Sequence, residues 1–266
     1  MRILFLTTAI ALLPFAGMAA TITGSVPDGW TYVGNAGSGT PDGVVTAAPT
    51  ASGNYTYIST FNAPSGGGTL PAVGGSSTDG STLTTSVFSA AAGDALKFYF
   101  NFVTSDGAGF ADYAWVQLLN ITGGSDFLMF TARTTPDGNT VPGFGMPDIG
   151  AGVTLNPGTV SVTPGGPEWS ALGDNSGSCY DFGCGFTGWV ESSFTITEAA
   201  DYQLQFGVSN WSDTAFATGL AIAGATIAGT PIDPNEPSVI PLPAAGWMLL
   251  AGLGGLGMIR RRRETV

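Results

Sequence analysis

Histidine is missing from this chain of 266 residues. Its absence removes the Ser-His-Asp and Cys-His nucleophile machineries, which rest on imidazole, and with only two cysteines the usual zinc cages go too. Basic residues are nearly as scarce. There are seven, and Arg2 and the run Arg260, Arg261, Arg262 and Arg263 sit at the chain ends. Between residues 21 and 239 only Lys97 and Arg133 stand against eighteen acidic residues, a net charge of −16. Nucleic acid is excluded as a partner, because binding it means neutralising phosphates with Lys and Arg. Such a surface suits a salty medium, or the capture of a hard cation such as Ca²⁺. Helical periodicity is absent too: from 21 to 230 no ten-residue stretch repeats apolar side chains at helical spacing.

What is present is glycine, proline and alternation. The run Leu96, Phe98, Phe100, Phe102 puts apolar residues on one face of a strand, with Lys97, Tyr99, Asn101 and Val103 on the other. Tyr202, Leu204, Phe206 and Val208 repeat the pattern further on. Other strands are expected at 30–33, 54–61, up to Phe88, 113–120, 127–133, 159–163 and 220–227, with Trp115 and Phe130 as core candidates. Two stretches share one grammar, FSAAAGDALKFYF and FTITEAADYQLQF: strand, tight acidic turn, aromatic strand, Asp-bearing loop, strand. They read as two similar hairpins in related positions of one sandwich. Two copies are too few for a solenoid. The expected fold is all-β, a single jelly-roll-like β-sandwich spanning residues 21–230.

The first twenty residues, MRILFLTTAIALLPFAGMAA, place one arginine before an apolar run and small residues before a cleavage point after Ala19 or Ala20. That is the layout of a secretory signal peptide, and the apolar run is short for a membrane span. An exported chain meets an oxidising compartment, so Cys179 and Cys184 are expected to close a small disulfide loop, worth about 2 kcal/mol by chain entropy.

Residues 231–243 form a Pro-rich linker. Residues 244–259 run without a charge, and the four arginines and tail 260–266 follow. Gly252, Gly254 and Gly257 spell G-x-G-x-x-G, but no strand precedes them and only nine residues follow, so a dinucleotide turn is excluded. Sixteen apolar residues with small glycines read instead as a short transmembrane helix, its end held in the cytoplasm by the arginines. The order of Pro241-Leu242-Pro243-Ala244, apolar helix and arginine cluster resembles the PEP-CTERM protein-sorting signal in its VPLPA variant. Ile240 stands where that variant carries Val. The resemblance covers about the last 27 residues. It implies export in a Gram-negative bacterium, anchoring in the inner membrane with the N-terminus outside, and processing by an exosortase-type enzyme. It also implies an association with exopolysaccharide or biofilm.

No catalytic residue, cofactor or metal is assigned; Ca²⁺ is the candidate if any. Asp106 and Asp112 in SDGAGFAD, and Asp213 in the equivalent second loop, read as turn residues. They are also candidates for a carboxylate-dependent glycan hydrolase or a Ca²⁺ site. Trp30, Trp169, Trp189 and Trp211 lie in or beside loops and would serve a carbohydrate-binding module if exposed. Asn54, Asn120 and Asn210 match glycosylation sequons by coincidence. The expectation is a non-enzymatic exported surface or matrix protein. Carbohydrate binding is the first alternative and glycan hydrolysis the second.

Overall fold

The computed structural model describes residues 25–134 and 139–237. The expected signal peptide, sorting motif, membrane helix and basic tail lie outside the described residues. Among the described residues no helix is long and apolar enough to cross a membrane.

The architecture is all-β. The first sheet runs in the order β1 (Thr31–Val33), β4 (Ser77–Thr84), β13 (Ala200–Trp211), β7 (Tyr113–Asn120), β8 (Phe127–Arg133). Here β5 (Phe88–Ala90) pairs with β13 as well. The second sheet runs β10 (Thr163–Pro164), β11 (Gly185–Phe186), β6 (Ala95–Thr104), β14 (Thr218–Ile227), β3 (Tyr55–Ser59), β2 (Asn35–Gly39). To it are added β12 (Val190–Thr195) on β6, β9 (Thr154–Asn156) on β12, and β15 (Thr230–Pro231) on β14. All the pairings are antiparallel. The two sheets face each other across one core, as a β-sandwich does.

That core is aromatic. Leu96, Phe98, Phe100 and Phe102 of β6 are all fully buried, as their alternation required. Phe100 stacks on Phe130 with ring centroids 4.3 Å apart, and Phe98 meets Phe206 edge to face at 5.6 Å. Val208 and Leu204 of β13 and Leu220 and Ile222 of β14 complete the layer.

The expected hairpins are corrected. In each repeated stretch the tight turn does not fold the chain back on its neighbour. It carries the chain from one sheet to the other. The strand β5 pairs with β13 (Tyr202↔Phe88), while β12 pairs with β6 (Val190↔Phe100). Likewise β7 lies beside β13 and β14 beside β6. Each aromatic strand is thus flanked by the first and last strands of the other unit. The two stretches interlock as arches, which local sequence grammar does not distinguish from hairpins, because the pairing partner lies about a hundred residues away.

Three further departures have simple causes. The strand expected up to Phe88 is broken at 85–87, where Thr85 bonds the backbone of Leu204 in place of a regular ladder. Of the strand expected at 159–163 only Thr163 is in a strand, as the first residue of β10. Val160 is buried in the core, and short strands form on either side, β9 and β10. The outer face of β6 is not open to solvent over its second half. Val103 packs there with Tyr55, Tyr57, Trp169 and Leu172 in a second cluster on the outside of that sheet. Trp169 lies flat enough against β14 that a Cβ on Gly219 would come within 2.6 Å of its ring. Trp115 does the same on the outside of the first sheet, where a Cβ on Gly207 would come within 2.2 Å. Each strand glycine is the gap that seats an indole.

The packed body continues past Thr230. Ile232 is buried in the main core, and Glu236 accepts a hydrogen bond from the Ser52 hydroxyl at 2.6 Å.

Candidate functional site

The two Asp-bearing loops meet at one end of the sandwich because the interlocked units put them there. The strand register explains what they meet. Moving two residues along each strand toward this end, the inward position turns polar. Phe102 gives way to Thr104, Leu220 to Thr218, Ile58 to Thr60, Val208 to Asn210, Ala114 to Asp112 and Ala132 to Thr134. Asp79 on β4 lies beside Asn210. The sandwich is closed here by a buried polar layer.

Its hydrogen bonds are specific. Asp112 is fully buried. Its Oδ1 accepts the Trp211 backbone N–H at 2.9 Å and its Oδ2 the Thr218 hydroxyl at 2.6 Å. The Thr218 and Thr104 hydroxyls lie 2.7 Å apart, and Thr104 Oγ1 accepts the Asp106 N–H at 3.1 Å. Asp106 Oδ1 accepts the Gly107 N–H at 2.6 Å. Asn210 donates to Asp79 Oδ1 at 3.1 Å. Two acceptors are left over: Asp106 Oδ2 and Asn210 Oδ1 are buried without a partner, each residue being 1% exposed.

Among the described residues no lysine or arginine forms an ion pair with this layer. Lys97 pairs with Glu191. Arg133 donates to the backbone oxygens of Ala111 and Phe144 and lies over the Trp211 ring. Unpaired burial therefore favours the neutral carboxyl. Burial pushes Asp106 up to about 7, with the Asp213 charge adding to it. Burial, then Asp106, holds Asp112 well above the usual carboxylate range. Asp79 is raised by the same cause. The structure thus brings Asp106, Asp112 and Asp213 near enough to act on one another. Among the described residues, however, no three acidic, histidine or cysteine side chains group as a metal cage does.

Beside the layer opens a cleft of about 560 Å³. Asp79 and Asn210 line it from the layer, Asp174 and Asn175 from the short 3₁₀ segment Ser170–Asn175, and the rings of Phe61 and Phe216 from two loops. Next to it the Cys179–Cys184 disulfide closes its loop as expected. That loop presents Tyr180, half exposed, with its ring 5.1 Å from Phe216 and 5.5 Å from Phe110. Phe182 stands out at 78% exposure.

Sequence reasoning found Asp106, Asp112 and Asp213 from their parallel loops. It missed Asp79, Asn210 and Asp174, and it read Asn210 as part of a sequon although its side chain is inside. The tryptophans do not meet the condition of exposure. Trp30 and Trp169 are buried, and the Trp169 indole donates to the Tyr55 hydroxyl at 3.0 Å. Trp189 and Trp211 are half-buried. The first donates to Thr46 O at 3.0 Å, and the second lies 4.5 Å under the Arg133 guanidinium. The described tryptophans form no open row.

No family model matches the chain. No curated protein matches it either. Solved structures resemble it faintly. A CBM4 structure shares 10% identity over 75% of this chain and 94% of its own, with a TM-score of 0.29. An adhesin domain of Lys-gingipain from Porphyromonas gingivalis W83 shares 11% over 78% and 99%, with a TM-score of 0.30. An exo-β-agarase shares 13% over 81% of this chain and 25% of its own, with a TM-score of 0.28. Overlaps this shallow leave the cleft to be read from its own geometry.

Proposed function

We propose that this chain is an exported, non-enzymatic surface or matrix protein of a Gram-negative bacterium, sorted through its C-terminus and associated with exopolysaccharide. The observation that carries the reading is the fixed order of Pro241-Leu242-Pro243-Ala244, a charge-free apolar run and Arg260, Arg261, Arg262 and Arg263 behind a leader-like N-terminus. An exosortase-type enzyme is its processing partner. The folded body, jelly-roll-like in its interlocked winding, is consistent with this. Ser25 and Pro27 near one end of the described chain line the same small cavity as Asn235 and Glu236 near the other. Both ends therefore leave the body together, and the polar loop end is free to face outward. The non-catalytic part of the reading is supported by Asp112. Asp112 has both oxygens bound inside the protein, which suits a structural closure better than proton transfer to a substrate. Mass spectrometry of the mature protein tests the sorting. The expected C-terminus lies near the proline motif, and an intact Arg260–Val266 tail overturns the proposal.

A second reading, saccharide binding, is favoured by one observation: the cleft at the loop end combines aromatic rings with amides and carboxylates.

A further inference from the structure

We infer that the cleft bounded by Phe61, Phe216, Asp79, Asp174, Asn175 and Asn210 is a binding site for a neutral oligosaccharide. This rests on the saccharide-binding reading and gives it a place and a ligand class.

Three independent features converge there. The first is size. About 560 Å³ lies within the roughly 300–1,000 Å³ typical of small-molecule sites. The second is the chemistry of the walls. The exposed Asp174 carboxylate calls for donors. The hydroxyls of Thr60, Ser65 and Thr214, which also line the cleft, offer both donor and acceptor. A ligand that gives and receives hydrogen bonds from the same atoms fits such a wall, and a hydroxyl does so. Two phenyl rings complement the C–H faces of a sugar ring. Among the described residues no lysine or arginine lines the cleft, so an anionic ligand finds no counter-charge there and meets the exposed Asp174.

The third is backbone strain. Asn62 and Phe216 both line the cleft and both hold left-handed backbone, φ 56° and 55°. For a bulky residue such as phenylalanine this conformation is unfavourable and persists only where the surroundings enforce it. They do so here. The Ala217 N–H is held by Asn175 Oδ1 at 2.9 Å and the Ala215 N–H by Asp213 Oδ1 at 3.0 Å, on either side of Phe216. The Tyr180 ring backs it from the disulfide loop. The Phe61 carbonyl, next to Asn62, accepts from Asn35 Nδ2 at 2.8 Å. Both rings are therefore set before any ligand arrives, which reduces the ordering cost of binding.

The test is calorimetric titration of the detergent-solubilised full chain. The probes are cellohexaose, laminarihexaose and maltohexaose, with hexa-mannuronate as the anionic comparator and CaCl2 as the cation control. The expected result is that at least one neutral hexasaccharide binds and hexa-mannuronate does not. Thr214→Trp, which fills the cleft from an exposed wall position, is expected to weaken binding at least about tenfold at unchanged Tm. Asp174→Ala, also exposed, is expected to weaken it about threefold. Binding that survives both substitutions overturns the cleft while leaving the saccharide reading intact. Failure of all three neutral probes overturns both. Heat from CaCl2 alone, lost in Asp174→Ala and without any sugar response, makes this a cation site and overturns the ligand class. So does hexa-mannuronate binding as tightly as the neutral sugars.

Discussion

The middle of the sandwich and its loop end are built on the same strands, two residues apart, yet they follow opposite rules. In the middle, the inward side chains are apolar apart from Ser81 and Ser192, and Phe98, Phe100, Phe130 and Phe206 interlock. At the loop end the same strands turn in Asp79, Thr104, Asp112, Thr134, Asn210 and Thr218. The middle gains stability in proportion to the apolar area it hides. The loop end gives up that gain and must satisfy every polar atom it buries, which it nearly does. The two atoms it leaves unsatisfied belong to Asp106 and Asn210, and Asn210 lines the cleft. Stability and site are separated along the strand, so each is open to perturbation alone.

The largest expected effect is in the middle. Phe100→Ala removes a fully buried ring stacked on Phe130 and opens a cavity, a loss of about 3–5 kcal/mol in denaturant unfolding. If the loop end obeyed the same rule, Asp112→Asn would cost as much. It is expected to cost little at pH 5, because the amide keeps both partners and reverses only the direction of the Thr218 bond. Its oxygen accepts from Trp211 and its N–H₂ donates to Thr218, while Thr218 donates to Thr104. Above pH 7 the variant is expected to exceed the parent, since a raised carboxyl burdens the fold once it must ionise.

That burden gives the loop end a pH signature that the middle lacks. Asp106 and Asp112 bind protons more tightly folded than unfolded, so the unfolded chain releases them first as pH rises. Their contribution is full below about pH 4 and is lost upward, for Asp106 through about pH 7. Stability should therefore fall between pH 4 and pH 7, by about 3 kcal/mol from Asp106 alone, with Asp112 adding to the loss. Asp106→Asn should flatten that slope, whereas Phe100→Ala should shift the whole curve down without changing it. A parent whose stability rises across this interval contradicts the assignment.

The middle was readable in the sequence and the loop end was not, for reasons visible in particular residues. Phe98, Phe100 and Phe102 alternate with more polar neighbours, and period two is a local signal. Asp106, Asp112 and Asp213 were readable because two loops repeat one pattern. Asp79 and Asn210 were not, because a polar residue facing inward from a strand looks like a turn residue. The strand β2, Asn-Ala-Gly-Ser-Gly, carries no strand signal at all. It is small because the Tyr57 and Tyr55 rings lie across Gly37 and Gly39, within 2.9 and 2.8 Å of where a Cβ would stand. The crossing of the arches depends on partners about a hundred residues apart, which no local pattern contains.

The two cations of the folded domain give the last and smallest contrast. Arg133 sits toward the loop end, half-buried, donating to two carbonyls and covering Trp211. Arg133→Ala strips packing and hydrogen bonds together, about 1–3 kcal/mol. Lys97 sits toward the other end of β6, its side chain 52% exposed, with Nζ 3.5 Å from Glu191 Oε1. In a domain so rich in acid, this ion pair invites the reading that it is a keystone. Exposed pairs contribute little, since water screens both charges and two long side chains must be held still. The surrounding negative field does not change that, because beyond roughly 8 Å physiological salt screens it. Glu191 also keeps the Tyr99 hydroxyl at 3.0 Å when the lysine is gone. Lys97→Ala is therefore expected to shift stability by less than about 0.5 kcal/mol, a Tm change of about 2 °C or less. A larger loss would mean that an ion pair stabilises this end of the sandwich, whereas at the loop end charge burdens the fold.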